Sequence, residues 1–250
     1  MRRVRDDRAR RFAMLPRMES IIVCGGRRLT GRVVVEGAKN SALKLMAASL
    51  MVPGRTRLSN VPNIADVAIM GEVLEALGAS VNRDGHELVI DATTLTGHEA
   101  PYEYVVRMRA STAVLGPLVA RLGRARVAHP GGCNIGSRKI DMHVRGLEAL
   151  GVSVEFEHGY ICATAPEGGP RPATVTLDFP SVGATENLLM ASALGCGTTV
   201  IENAAREPEI VDLANLLRAA GARIEGAGSP VITVHGVEEL RPVSHRVVGD

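Results

Sequence analysis

The apolar and polar positions of this chain repeat with a period of about seventy residues. The stretch Leu74–Val81, LEALGASV, returns as LEALGVSV at Leu147–Val154 and more loosely as LRAAGARI at Leu217–Ile224. Repetition of this kind is typical of a fold built from copies of one supersecondary unit. Each copy predicts an amphipathic helix that ends at a glycine and leads into a strand.

A second and more apolar helix is predicted earlier in each copy. The three helices span Ala42–Leu50, Ala113–Leu122 and Glu186–Leu194, and they follow loops in which Ser, Thr or Asn can serve as N-caps. They are apolar on most faces, which indicates burial. With the strand-like segments that follow, each unit reads β-α-β-α-β-β, and the fold class is α/β with three such repeats around buried helices.

One connector of the second unit is enlarged. Residues 130–141 are longer than the equivalent 61–66, and their loop PGGCNIGSR is rich in glycine. Cys133 lies in it, five residues before Arg138. A nearby cation and backbone N–H groups lower the pKa of a thiol, so Cys133 is a candidate reactive group. From the loop alone, an ordinary glycine turn that contains a cysteine is an equal alternative.

Cations occur near the starts of the buried helices. Lys39 and Arg109 precede two of them, and Arg138 lies in the enlarged loop. Parallel helices would bring their N-termini together, where unpaired N–H groups attract anions. The pattern favours a phosphorylated ligand, although each charge considered singly could be a solvated surface residue.

The overall charge gives little sign of a nucleic-acid partner. The net charge is +2, but residues 1–18 hold seven arginines and two aspartates, so the remainder is mildly acidic. We interpret residues 1–18 as a basic disordered extension, and RNA binding through it is an alternative. No apolar run is long enough for a membrane span.

The four cysteines of the chain show no CxxC pair. We therefore predict neither a zinc site nor a disulfide framework. Free thiols indicate a reducing compartment, hence the cytoplasm. Cys24, Cys162 and Cys196 are flanked by small or apolar residues, and we expect them to be buried.

Five segments of the chain resemble the UDP-N-acetylglucosamine enolpyruvyl transferases. These enzymes belong to the enolpyruvate transferase family, which also includes 5-enolpyruvylshikimate-3-phosphate synthase. The matching segments are Gly37–Asn40, Met108–Ser111, Pro130–Cys133 through Asp141–His143, Ser181–Thr185 and Glu202–Glu209. The resemblance covers about residues 19–250 and implies an inside-out α/β barrel with buried central helices.

The resemblance also implies a reaction. The enolpyruvyl group of phosphoenolpyruvate would pass to the 3′-hydroxyl of UDP-N-acetylglucosamine with release of phosphate, in the first committed step of peptidoglycan synthesis. Acid catalysis at the methylene carbon and cations on the phosphate and carboxylate suit such an addition, and the chemistry requires no metal or other cofactor.

Residue roles follow from the same resemblance. Cys133 matches the thiol that protonates C3 of phosphoenolpyruvate, can form a covalent adduct with it and is alkylated by fosfomycin. Phosphoenolpyruvate contacts are implied for Lys39, Asn40 and Arg138. UDP-N-acetylglucosamine contacts are implied for Arg109, Arg138, Lys139, Ile140, Asp141, Met142, Ser181, Val182 and Gly183. Lys139 stands where the family usually has proline, which would loosen the loop.

The family has two threefold domains, and this chain matches essentially one. We assign residues 37–240 to the catalytic repeat domain, 19–36 to a hairpin of the second domain, and 241–250 to a truncated crossover towards it. Because the family's general base lies in the second domain, we expect the 250 residues alone not to turn over. The alternatives are a non-catalytic nucleotide-sugar-binding half and a related enolpyruvyl transferase with another acceptor.

Overall fold

The fold is described from a computed structural model of the chain, which covers residues 26, 28, 30–105, 108–128 and 140–250, with side chains for the same residues except 109–111. The chain divides into a short unit, Met1–Val34, and a main unit, Val35–Asp250. In the short unit, Val33 and Val34 are exposed. Half of the predicted hairpin over 19–36 lies outside the described residues, and the hairpin stays a prediction.

The first repeat of the main unit begins with a buried helix. Its elements are α1 (Lys39–Ala48), a 3₁₀ turn (Ser49–Met51), β1 (Arg55–Ser59), α2 (Ala65–Ala76), β2 (Ser80–Asp84) and β3 (Glu87–Asp91).

The second and third repeats have the same plan. The second contains β4 (Glu99–Ala100), α3 (Tyr102–Val105), a 3₁₀ segment (Arg109–Val114), α4 (Leu115–Leu122), β5 (Arg124–Ala128), α5 (Asp141–Ala149), β6 (Ser153–Glu157) and β7 (Tyr160–Thr164). The third contains β8 (Thr174–Thr176), α6 (Val182–Ala193), β9 (Thr198–Glu202), α7 (Pro208–Ala219), β10 (Arg223–Glu225) and β11 (Val231–His235), and β12 (Val243–Arg246) follows.

Each repeat forms the main part of one four-stranded sheet, and the three sheets have the same topology. The strand orders are β12-β1-β3-β2, β4-β5-β7-β6 and β8-β9-β11-β10. In every sheet the first pair is parallel and the other two pairs are antiparallel. The threefold repeat predicted from the sequence is confirmed.

The first sheet takes its outer strand from the far end of the chain. β12 pairs in parallel with β1, with Thr56 opposite Val243. Residues 36–38 run beside the same end segment, because Ala38 N donates to Val248 O at 2.7 Å and Asp250 N donates to Glu36 O at 3.1 Å. Sequence reasoning assigned residues 241–250 to a crossover and did not foresee their place in a sheet.

A single apolar core fills the main unit, and the first helix of each repeat contributes much of it. Every residue of α6 from Ala184 to Ala193 is buried. The central strands alternate between buried and more exposed positions, so one face of each sheet covers the core. Within the described ranges, no helix has the length and hydropathy needed to cross a bilayer.

The second helix of each repeat ends at the predicted glycine. Gly78, Gly151 and Gly221 all have positive φ. In each copy the glycine N–H and the following N–H bond back to carbonyls of the last helical turn, as Gly78 and Ala79 do to Glu75 and Leu74. This is the Schellman arrangement, which favours glycine because a Cβ is strained at positive φ.

Two sequence expectations were wrong in detail. Of the two predicted cap positions whose side chains are fully described, the cap holds at Ser181, whose Oγ accepts from Ala184 N, and not at the start of α1. Helix α1 starts earlier than predicted, with Ala38 as its N-cap and no side-chain cap, so Ser41 lies inside the helix and is buried. Cys196 is exposed and Cys162 only partly buried, because small neighbours in a sequence do not fix where a loop or strand lies.

Candidate active site

The candidate phosphoenolpyruvate residues Lys39 and Asn40 form the first turn of α1. Both are exposed. Lys39 Nζ lies 2.9 Å from Asp66 Oδ2 at the start of α2. This carboxylate compensates the cation at a helix N-terminus, where a positive charge is otherwise unfavourable. Lys39 therefore has an internal counter-charge that an incoming anion would have to replace.

Arg109 begins the 3₁₀ segment that leads into α4. Its backbone is described and its side chain is not, so the predicted nucleotide-sugar contact stays a prediction. The segment packs against α1 and α6. This packing places the start of the second repeat beside the buried helices of the other two.

Helix α5 begins at Asp141, directly after Ile140. Met142 is buried, whereas Ile140 and Asp141 are partly exposed. Arg145 bridges two carboxylates, with Nη2 at 3.1 Å from Asp141 Oδ2 and Nη1 at 2.9 Å from Asp178 Oδ2. Asp178 lies three residues before Ser181, so Arg145 connects two of the predicted nucleotide-sugar segments.

Ser181, Val182 and Gly183 form the N-terminus of α6, and all three are partly exposed. Free N–H groups at such a terminus suit an anion. A Cβ on Gly183 would lie 3.1 Å from ring atoms of His143. The absence of a side chain there lets the start of α5 approach the start of α6.

Asn187 connects these segments from the second turn of α6, where it is 1% exposed. Its Oδ1 accepts from Gly116 N at 2.8 Å, and its Nδ2 donates to Thr112 O at 3.2 Å. The same Nδ2 lies 2.9 Å from Nδ1 of His143. One buried amide therefore contacts the second repeat at both the 3₁₀–α4 junction and α5.

His143 is held as a neutral imidazole. Burial lowers its pKa, the charge of Lys44 lowers it further, and Asp141 opposes both; the resulting pKa is about 4. A neutral ring can accept at Nδ1 from the Asn187 amide, as the geometry requires.

A buried ion pair lies between α1 and α6. Lys44 Nζ is 2.7 Å from Glu186 Oε2, and the Glu186 side chain is 1% exposed. The other carboxylate oxygen, Oε1, has no hydrogen-bond partner among the described residues. Burial raises the pKa of Glu186, with Glu209 and Glu207 adding to the rise and Lys44 opposing it.

The predicted catalytic thiol Cys133, with Arg138 and Lys139, lies outside the described residues. The described part of the site therefore consists of the other predicted segments and of β5 and α5, to which the two ends of this loop connect. β5 ends at Ala128 before the loop, and α5 begins at Asp141 after it. Both elements are anchored, β5 through its sheet and α5 through His143 and Met142.

The fold and these segments agree with a known family. The family profile of EPSP synthase (3-phosphoshikimate 1-carboxyvinyltransferase) matches residues 23–250. The chain belongs to this family of carboxyvinyl, or enolpyruvyl, transferases. Curated relatives named UDP-N-acetylglucosamine 1-carboxyvinyltransferase confirm the resemblance: one from Corynebacterium jeikeium is 56% identical over 232 residues, and one from Carboxydothermus hydrogenoformans, numbered 2, is 54% identical over 233.

The chain spans little more than half the length of these relatives. Each match covers 93% of this chain and 55% of the relative. Among solved structures, the enolpyruvyl transferase NikO from Streptomyces tendae is similar, with a TM-score of 0.77, 30% identity, and coverage of 90% of this chain and 53% of that chain. EPSP synthase from Acinetobacter baumannii has a TM-score of 0.68 at 16% identity, covering 88% and 50%, and supports the fold alone. The predicted fold class is confirmed.

Four residues of the site region were missed by sequence reasoning: Lys44, Arg145, Glu186 and Asn187. The available signal was polarity within an apolar helix, because Lys44 interrupts ALKLM and Glu186-Asn187 interrupts TENLLM. A polar residue inside a buried helix must find a partner. Lys44 and Glu186 pair across repeats and Asn187 contacts the second repeat, so the sequence alone does not identify these partners, whereas Arg145 pairs with Asp141 of its own helix as well as with Asp178.

Proposed function

We propose that this chain forms the part of a UDP-N-acetylglucosamine 1-carboxyvinyltransferase that binds the nucleotide sugar and phosphoenolpyruvate. The supporting observation is the 54–56% identity over 93% of the chain to relatives of that name. The protein would thereby serve peptidoglycan synthesis and cell-wall biogenesis in the cytoplasm, and through them cell shape, the cell cycle and cell division. It would act without a cofactor and without a nucleic-acid or membrane partner.

In the proposed reaction, the 3′-oxygen of UDP-N-acetylglucosamine adds to C2 of phosphoenolpyruvate. C3 takes a proton from the Cys133 thiol, and the hydroxyl proton passes to a base supplied by a second domain. The Cys133 thiolate would then take a proton back from C3 as the bond from C2 to the phosphate oxygen breaks, which restores the double bond and releases inorganic phosphate. Lys39, Asn40 and Arg138 would stabilise the charge on the phosphate and carboxylate.

The remaining assignments concern the nucleotide sugar. The start of the 3₁₀ segment with Arg109, the segment Arg138–Met142, and Ser181–Gly183 at the start of α6 would bind UDP-N-acetylglucosamine. The described segments among these are joined through Asn187, which supports a common ligand. The helix N-terminus of α6 offers N–H groups to the diphosphate or the uracil carbonyls.

Binding is the appropriate test, because the chain spans 55% of the relatives' length. Titration calorimetry with UDP-N-acetylglucosamine should give saturable binding that uridine weakly competes with and shikimate 3-phosphate does not. Binding of shikimate 3-phosphate in place of the nucleotide sugar would instead favour an enolpyruvyl transferase with another acceptor. Failure to bind either ligand would contradict the proposal.

The role of Cys133 has a separate test. Intact-mass and peptide mass spectrometry after exposure to fosfomycin should show one adduct, at Cys133, formed faster when UDP-N-acetylglucosamine is present. Cys196 is the internal control, because it is exposed yet lies outside the proposed site. Equal labelling of both thiols, or a rate unaffected by the nucleotide sugar, would contradict an assembled reactive site in this chain.

A further inference from the structure

The amide of Asn187 can take only one orientation. The Gly116 N–H can only donate, so it must face Oδ1, and Thr112 O can only accept, so it must face Nδ2. A flipped amide would set donor against donor and acceptor against acceptor, in a position that is 1% exposed and excludes water. The orientation of Asn187 therefore requires an unprotonated Nδ1 on His143.

The partners of Asn187 are adjacent to the predicted ligand residues. Thr112 is three positions after Arg109, His143 is two positions after Asp141, and Gly183 O receives a further, longer contact of 3.4 Å from Nδ2. Asn187 itself belongs to α6, and the two N–H groups of its amide join that segment to Thr112 O and to the His143 ring. Such a shared partner makes the segments move together rather than independently.

The packing leaves little freedom for these partners to shift. A Cβ at Gly116 would overlap the backbone carbonyl oxygen of Asn187, so α4 and α6 are in backbone contact there. A Cβ added at Gly183 would lie only 3.1 Å from ring atoms of His143, so little space separates the ring from this glycine. A change in the hydrogen bonds of Asn187 must then displace the segments themselves, since neighbouring side chains cannot absorb it.

We propose that Asn187 is a positioning residue that sets the mutual geometry of the three segments that bind the nucleotide sugar: the start of the 3₁₀ segment, the start of α5 and the start of α6. The identity of the ligand rests on the proposed function, whereas the coupling of the segments rests on the geometry alone. Asn187 does not touch the ligand; it acts through Thr112, His143 and Gly183.

The substitution Asn187→Asp tests this, because it preserves size and the acceptor for Gly116. Its second oxygen would face Thr112 O and the unprotonated His143, and two acceptors in a buried site repel. Protonation of His143 turns Nδ1 into a donor, so the repulsion from His143 is removed and the repulsion from Thr112 O remains. Among the described residues, the charged groups that act on His143 are Lys44 from α1 and Asp141 from its own helix, with Glu186 of α6 paired to Lys44.

The expected results are specific. The pKa of His143, about 4 in the native protein, should rise by about one unit or more in the variant, measured by NMR of the imidazole signals. UDP-N-acetylglucosamine should bind about tenfold more weakly at pH 8, as expected for one unsatisfied buried group, and part of the affinity should return at pH 5.5. Asn215→Asp on the exposed side of α7 is the matched control and should change neither quantity.

The outcomes separate this inference from the proposed function. If the native chain does not bind UDP-N-acetylglucosamine, the proposed function fails, but backbone amide shifts in all three segments together with the rise in the His143 pKa would still support the positioning role. An unchanged His143 pKa and amide shifts confined to α6 would overturn it. If Asn187→Asp does not fold, His143→Ala serves instead: it removes the acceptor on α5 together with the imidazole ring and should weaken binding about threefold or more with cooperative unfolding retained, whereas unchanged affinity would overturn the proposal.

Discussion

His245 Nε2 lies 2.7 Å from Oδ1 of Asp212, and this contact fastens the end segment of the chain to helix α7. Oδ2 of the same carboxylate accepts from Ser41 Oγ of α1 and from Val248 N. Asp212 therefore joins three parts of the main unit that are far apart in sequence. Burial raises its pKa, but the hydrogen bonds from His245, Ser41 and Val248 outweigh burial, so the net pKa is lowered.

Replacing Asp212 by Asn should destabilise the protein by about 2 kcal/mol at pH 7, because the new NH₂ group faces donors that the carboxylate had satisfied. A depressed carboxyl pKa contributes stability that is present above the unfolded-state pKa and is lost as the pH falls through the folded-state pKa. The difference between native protein and variant in urea unfolding should therefore shrink in strongly acidic solution. Asp84→Asn, at an exposed hairpin position, is the control, and an equal loss in both variants would contradict this role of Asp212.

His143 should make stability depend on pH in a different window. Its folded-state pKa is lowered from 6.5 to about 4, so the unfolded chain binds the proton more readily between these values. Stability is then complete above pH 6.5 and falls as the pH drops towards 4, by at most about 3 kcal/mol. His143→Asn retains an acceptor near the Nδ1 position and should remove this part of the pH dependence.

The measurement is chemical unfolding at pH 7.5 and pH 4.5 for both proteins. His86→Asn provides the matched control, because His86 is exposed on the hairpin between β2 and β3. If His143→Asn loses as much stability on acidification as the native protein, the partly buried neutral imidazole is not responsible for that loss.

The ion pair Lys44–Glu186 should respond differently to single and double substitution. Lys44→Met leaves a carboxylate that is 1% exposed without a counter-charge, which should cost about 3–5 kcal/mol at neutral pH. Lys44→Met with Glu186→Leu removes both charges and should recover most of that loss. Lys39→Met is the control: its pair with Asp66 is half exposed, so the cost should stay below about 1 kcal/mol.

Thermal unfolding of the four proteins tests the ion pair. The single variant Lys44→Met should also regain stability at low pH, because protonation of Glu186 removes the uncompensated charge. A double variant as unstable as the single one would mean that the loss comes from packing at Lys44 rather than from the charge on Glu186.

Two glycines in helices should give opposite results when changed to alanine. At Gly116 the new methyl group would overlap the Asn187 carbonyl oxygen, and a backbone atom cannot move aside, so we expect a loss of about 3 kcal/mol. At Gly71 in α2 the nearest atom would be Val81 Cγ1 at 3.6 Å, an ordinary contact. Gly71→Ala should therefore stabilise by up to about 1 kcal/mol through helix propensity. Urea midpoints that move in the same direction would contradict this account of the α4–α6 contact.

The sequence predicted the architecture better than it predicted the polar interior. The recurring LEALG stretch and its glycine predicted the three repeats correctly, because a Schellman cap depends on local backbone conformation. Helix α1 starts earlier than the sequence predicts, because the hydroxyl of Ser41 caps no helix and bonds instead to Asp212, 171 residues away. Asn187 and the Lys44–Glu186 pair went unrecognised for the same reason: their partners belong to other repeats.

β12 pairs in parallel with β1, so Val243 lies opposite Thr56 although most of the sequence of the main unit lies between these two residues. Closing so long a loop costs entropy before any contact compensates for it, so this sheet should complete late in folding. Because Asp250 N bonds to Glu36 O, a short linker could join these two residues in a circular permutant opened at the turn around Gly168. In that molecule β12 would precede α1, the slowest pairing would become local, and refolding should be faster while the site is preserved.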